Sequence, residues 1–238
     1  MNWRNSILAA LAICASANSG TAWAQAPARV GEAAVVKNEV IRVTGAGGTP
    51  INVGDAVLRN ETVRTGADSA TRLVMIDSTN LSLGANSSIT IDKTVFNDEQ
   101  SYRDVTIRLT TGAFRFVTGH SDKNAYKITT PLAAIGVRGT TLGILSQRGR
   151  SVVVLEDGAG RVCTNTFQCV DLTQPGDTAV ITSFNGKTSI QKTNVPPWTF
   201  AANCAAAAGL CSTTQYAGAS PLIVPAVVDD PTGMLCGR

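Results

Sequence analysis

The sequence predicts an all-β fold, and three observations carry the prediction. Apolar and polar residues alternate with a period of two in segment after segment between residues 35 and 190, as in strands that bury one face. Clusters of Gly, Asn, Asp, Pro and Thr punctuate those segments at roughly 8 to 12 residue spacing, the rhythm of a sheet protein with many short strands. No apolar pattern of helical period persists between residues 30 and 190, so a βαβ sheet is poorly supported. The expected architecture is a set of curled antiparallel or mixed sheets, arranged as a sandwich or a short β-solenoid.

The elements follow in order. Residues 72–76 alternate cleanly, and in residues 80–83 Leu81 and Leu83 share a face. Residues 88–92 and 104–109 repeat the pattern. In residues 113–116 the two phenylalanines lie on one side and Arg115 on the other, which assigns Arg115 to solvent. Residues 126–129 and 151–155 continue the series. The inward set is Leu73, Met75, Leu81, Leu83, Ile89, Ile91, Val105, Ile107, Leu109, Phe114, Phe116 and Ile128. Turns or tight backbone approaches are expected at Gly54-Asp55, Thr65-Gly66, Gly84-Ala85-Asn86, Thr111-Gly112, Thr118-Gly119, Asp157-Gly158 and Pro175-Gly176-Asp177. Asp77-Ser78-Thr79-Asn80 reads as a hairpin turn in which Asp77 accepts backbone N–H bonds.

The 44% apolar content supports a core, and with 16% charged residues the chain lacks the composition of a disordered protein. A formal charge of +3 spread over 238 residues does not mark a nucleic-acid binder. Residues 1–24 read as a signal peptide: Arg4, an apolar run from Ile7 to Ala17, and an A-x-A site at Ala22-Trp23-Ala24. A membrane anchor and a lipid on Cys14 are the weaker alternatives, because the run is short and Ile13 is not a small residue. Removing 24 of 238 residues leaves a mature chain with no second long apolar stretch. Its expected compartment is the periplasm or the medium, where disulfides form.

Five of the six cysteines follow the cleavage site. Cys163 and Cys169 bracket a short polar turn between two strand-like segments, and a disulfide closing that turn is expected. Cys204 and Cys211 flank an alanine-rich stretch. They bond to each other if Gly209 ends the helix there, or one of them reaches Cys236. With an odd count, one thiol is left over. The spacings contain no C-x-x-C, which disfavours zinc and redox roles. Residues 30–190 form the expected β domain. Residues 191–238 form an alanine- and proline-rich tail, with one short helix expected over residues 199–210.

One set of motifs carries a family resemblance. Val63-Arg64-Thr65-Gly66-Ala67 and Leu81-Ser82-Leu83-Gly84-Ala85-Asn86-Ser87 precede Gly112-Ala113-Phe114-Arg115-Phe116. Tyr126-Lys127-Ile128-Thr129-Thr130-Pro131, Ala134-Ile135-Gly136-Val137-Arg138-Gly139-Thr140-Thr141-Leu142 and Val152-Val153-Val154-Leu155-Glu156-Asp157-Gly158 follow. In this order the set resembles the FecR domain, over roughly residues 30–185. The resemblance implies an all-β extracytoplasmic module of a Gram-negative envelope. In the regulator that names the family, the module receives a signal from an outer-membrane receptor and passes it through a membrane helix to a sigma-factor control segment. This sequence shows neither helix nor control segment, and so resembles a stand-alone exported member.

The structural motif residues are Thr130, Pro131, Gly136, Arg138, Gly139 and Thr140. Arg138 lies in an apolar run, which implies a buried or half-buried guanidinium tied to neighbouring strands. Gly136 and Gly139 read as close backbone approaches or positive φ. Catalytic inventory is thin. His120 is the one histidine, and no G-x-S-x-G elbow, phosphate loop or metal-ligand cluster appears. The expected function is a non-enzymatic interaction module in envelope sensing or signalling, without cofactor, metal, nucleic acid or membrane span. Its expected partner is a separate envelope protein. The alternative is a carbohydrate-binding or carbohydrate-active β protein, disfavoured by an aromatic content of only 5%.

Overall fold

The computed structural model describes residues 28–45, 47–98 and 100–203. The strands are β1 (Arg29–Lys37), β2 (Val40–Thr44), β3 (Gly47–Pro50), β4 (Ala56–Leu58), β5 (Thr62–Thr65), β6 (Ala70–Met75), β7 (Asn80–Leu83) and β8 (Ser88–Asp98). They continue with β9 (Ser101–Val117), β10 (Tyr126–Thr129), β11 (Ala133–Gln147), β12 (Arg150–Thr164), β13 (Cys169–Leu172), β14 (Thr178–Phe184) and β15 (Lys187–Thr193). One helical turn, α1 (Phe200–Asn203), follows. Among the described residues no helix is long and apolar enough to cross a membrane.

All fifteen strands join one sheet. Its main path runs β15-β14-β12-β11-β10-β9-β7-β6-β1-β4, and a second arm leaves β9 through β8, β5, β2 and β3. The pairings are antiparallel except for β9 with β10, where Val105 faces Tyr126 in parallel register.

The sheet curls because its long strands change partners midway. β9, of 17 residues, pairs with β8 and β10 through its first half and with β7 and β11 through its second. β12 pairs with β14 through residues 150–154 and with β13 through residues 160–163.

Two of the expected sites, Thr111-Gly112 and Asp157-Gly158, are therefore tight backbone approaches inside continuous strands, not turns. Glycine marks a bend or bulge as readily as a turn. Gly112 has φ of 111°, and a Cβ there would lie 2.4 Å from the Cα of Ser87. Gly158, at φ of 83°, presses so closely on Gly139 that a Cβ would fall 1.9 Å from the Gly139 carbonyl oxygen. The β11–β12 register slips at this point, between Arg138 and Thr141.

One hydrophobic cluster draws on both halves of the sheet and contains all twelve residues of the predicted inward set, each at most 3% exposed. A smaller cluster lies on the opposite face, where Phe200 and Trp198 cover Ala113, Leu145, Val152 and Val154. This second layer overturns the assignment of Arg115 to solvent. The side chain is buried, at 5% exposure, and its Nε donates to Glu156 Oε2 at 2.8 Å. Alternation correctly put Arg115 opposite the phenylalanines, but it carries no information about what roofs that face.

Cys163 and Cys169 are bonded, as expected, and face each other across β12 and β13. The turn α1 falls within the expected tail helix. The expected signal peptide of residues 1–24, the rest of the expected helix and Cys204, Cys211 and Cys236 lie outside the described residues.

Candidate interaction face

Two polar clusters have enough chemistry to be sites, and one is sealed. Asp77 is fully buried in the turn between β6 and β7. Its carboxyl accepts from Thr79 N at 3.0 Å, Thr79 Oγ1 at 3.0 Å and Ser121 Oγ at 2.7 Å, and from the Tyr126 hydroxyl. Thr79 Oγ1 in turn accepts from Gly119 N at 3.0 Å, and Ser121 Oγ accepts from Tyr102 N at 2.8 Å. Burial, followed by the hydrogen bond to Asp77, pushes the Tyr126 phenol from 10.0 up to about 12. Burial and the neighbouring Asp77 raise that of Tyr102 as well. Every one of these groups is enclosed, so the cluster ties the 118–125 loop to the sheet and offers a ligand no access. The sequence signalled the turn through Asp77. It did not signal Tyr126 and Ser121, which arrive from 49 and 44 residues away.

The motif residues divide by function. Thr130 Oγ1 accepts from Leu132 N at 3.3 Å and Ala133 N at 3.1 Å, closing the turn that exposes Pro131. Thr140 clamps the bulge: its N donates to Thr118 Oγ1 at 2.8 Å and its Oγ1 to Ala159 O at 2.7 Å. Arg138 is exposed rather than buried. The reason is β11 itself, where Ile135 and Val137 point into the core and the pleat turns Ala134, Gly136 and Arg138 outward. The apolar run that implied burial supplies only the inward half of the strand.

Gly136 also differs from expectation. A Cβ there would meet nothing closer than Arg161 O at 4.0 Å, so no close approach requires glycine. Its position in the register explains it better. Lys127 on β10 faces Gly136, Gly136 faces Arg161 on β12, and Arg161 faces Asp171 on β13. These four exposed residues form one row across the sheet, and the missing side chain opens a gap between two cations. The gap belongs to a surface groove of about 640 Å³, rimmed by Lys123, Lys127, Arg138 and Arg161. Asp171 is the acid of the lining, 3.1 Å from Arg161 Nε. The groove therefore presents an excess of positive charge over a floor of Gly136, Ala159 and Gly160.

His120 sits apart, exposed, with Nε2 2.9 Å from Gln100 O. Among the described residues no group of three or more His, Cys, Asp or Glu side chains is placed to hold a metal.

Residues 61–159 match the family described as FecR protein. That span runs from Glu61, just before β5, into β12, so this part of the chain is similar to the FecR β domain. Two solved structures of a provisionally assigned anti-sigma factor from Parabacteroides distasonis are similar at 16% identity, with TM-scores of 0.48 and 0.44. Each match covers 57% of this chain and 60% of the other, so the chain spans less than two thirds of the solved chains it resembles. No curated protein matches it. Arg161 and Asp171 of the groove lie beyond the family match.

Proposed function

We propose that the chain is a non-enzymatic interaction module, exported behind the leader of residues 1–24, which contacts a separate envelope protein through the face formed by β10 to β13. The observation that carries this reading is the cationic groove over Gly136. Four basic side chains around a floor without bulky groups suit an extended, acidic backbone segment that must lie close to the sheet. A FecR-type β domain makes envelope signalling the natural setting. The partner then transmits the signal, since among the described residues no helix is long and apolar enough to cross a membrane. We also read the curled sheet as sandwich-like, because its near-uniform antiparallel pairing fits a meander better than the stacked parallel coils of a solenoid.

Cross-linking in the periplasm followed by affinity recovery tests the reading with two variants. Gly136→Val fills the groove with a residue of high β propensity, so the fold is retained or strengthened by up to about 1 kcal/mol. Arg138→Glu reverses one rim charge. The expected result is one acidic envelope protein recovered with the wild type and lost with both variants, at unchanged melting temperature. Equal recovery with all three proteins removes the groove from the interface. Retention on a glycan matrix, with no protein recovered, rejects the module reading.

A further inference from the structure

The cationic face continues past the groove, and the strand register gives it a spacing. Lys93 on β8 pairs with Thr106 on β9, and Thr106 pairs with Lys127 on β10. Lys127 leads on through Gly136 to Arg161 and Asp171. One row of side chains thus crosses the sheet from β8 to β13. On β9, β10 and β11 the residues on either side of the row lie in the core, so the pleat turns the row outward. Its cations fall on every second strand. Neighbouring strands lie about 4.8 Å apart, so Lys93, Lys127 and Arg161 follow one another at about 10 Å. Between them stand Thr106 and Gly136, a small side chain and none at all. Lys93 pairs at the surface with Asp104, and Arg161 with Asp171. Exposed pairs of this kind contribute little to stability, so a partner's carboxylates can take their place.

Sign and spacing together select the occupant. A segment along this row crosses the strands instead of adding to the sheet, and it must offer a negative charge about every 10 Å. A polyproline II segment returns a side chain to the same face every third residue, over about 9.3 Å. A β-strand returns one every second residue, over about 6.8 Å, and falls out of step. We infer that the row binds an acidic stretch of the partner in the polyproline II conformation, with carboxylates at every third residue on Lys93, Lys127 and Arg161. The inference rests on the groove being the contact surface, and it gives the partner's segment a charge pattern. Gly136 lets the narrow backbone of that segment approach the sheet between two cations. Asp104 and Asp171 flank the end cations, so a fourth carboxylate in either direction meets like charge. A second copy of this chain does not supply the pattern, because no two of its 17 Asp and Glu residues stand three apart. An acidic polysaccharide fits less well, since the row carries no aromatic side chain on which a sugar ring can stack.

Fluorescence anisotropy on the purified protein tests this with two labelled peptides. One is three Glu-Pro-Pro repeats, which hold carboxylates three residues apart on a preformed polyproline II backbone. The other has the same composition with its three glutamates together. The repeat is expected to bind at least tenfold more tightly, and to weaken as salt is added. Lys93 is exposed and lies outside the groove lining. Lys93→Ala and Lys127→Ala are each expected to weaken the repeat at least threefold at unchanged melting temperature. Equal affinity for the two peptides, no binding of either, or binding indifferent to Lys93→Ala overturns the row while leaving the groove to the cross-linking test. Indifference to Lys93→Ala, Lys127→Ala and Gly136→Val alike removes the groove as well. Tighter binding to polygalacturonate or to phosphatidylglycerol vesicles than to the repeat also overturns the proposal.

Discussion

The Asp77 cluster and the Gly136 groove lie on neighbouring strands and hold opposite kinds of polarity. Around Asp77, a carboxyl, two hydroxyl side chains and a phenol satisfy one another completely and exclude water. Around Gly136, four cations stand in solvent with one acid among them. Buried polar groups are tolerated only when their hydrogen bonds are met, so the first cluster is stability and geometry with nothing left to offer. Exposed charges contribute little to stability, so the second is free to be shaped for a partner. Mutations separate the two regions sharply.

The largest effects belong to the buried side. Asp77→Ala strands the donors of Thr79, Ser121 and Tyr126, and a loss of about 3–5 kcal/mol in chemical denaturation is expected. Phe114→Ala empties a site only 2% exposed and is expected to cost about 3–5 kcal/mol. Losses below about 1 kcal/mol in either case show that the enclosure is looser than drawn.

The same cluster predicts an alkaline limit. A phenol whose pKa rises on folding favours the protonated native state. Its stabilising contribution is complete below the unfolded value of 10.0 and is lost as pH climbs toward about 12. Melting temperature is expected to fall across that window. Tyr126→Phe starts lower, having lost its bond to Asp77, and is expected to fall less steeply. Equal slopes for the two proteins assign the alkaline transition to other groups.

These regions were unequally legible in the sequence. The period-2 pattern located the whole predicted inward set, because a strand's two faces are written directly in its order of residues. It could not say that β9 has both faces covered, since Trp198 and Phe200 arrive from far along the chain. Asp77 was readable as a turn residue and unreadable as the centre of a network. In the G-V-R-G-T segment, Thr140 and Gly139 are structural, Arg138 is exposed, and Gly136 keeps a floor open. Glycine looks the same in sequence whether it serves a bulge, a turn or a gap.

Smaller effects come from the exposed side. Reducing the Cys163–Cys169 bond, or replacing both residues by serine, is expected to cost about 2 kcal/mol, since the closed loop is short. The wild type under reductant and the double-serine variant should unfold at the same denaturant concentration. A larger gap between oxidised and reduced protein means that the hairpin supports more than its own tip.

The smallest expected effect is also the most informative for the comparison. Arg138 lies in an apolar stretch, and on that ground its removal should destabilise the fold. The structure puts the side chain in water, and among the hydrogen bonds formed at this residue it is the backbone N of Arg138, not the guanidinium, that reaches Thr140 Oγ1, at 2.8 Å. Alanine keeps that backbone bond. Arg138→Ala is therefore expected to change stability by less than about 0.5 kcal/mol, the range of ordinary surface substitutions, while weakening recovery of an acidic partner. Thr140→Val is the contrasting control, because it removes the hydroxyl that bridges Arg138 N and Ala159 O across the bulge. A loss of about 1–2 kcal/mol is expected there. If Arg138→Ala proves as destabilising as Thr140→Val in parallel urea titrations, the arginine belongs with the buried region and the groove loses its principal contact.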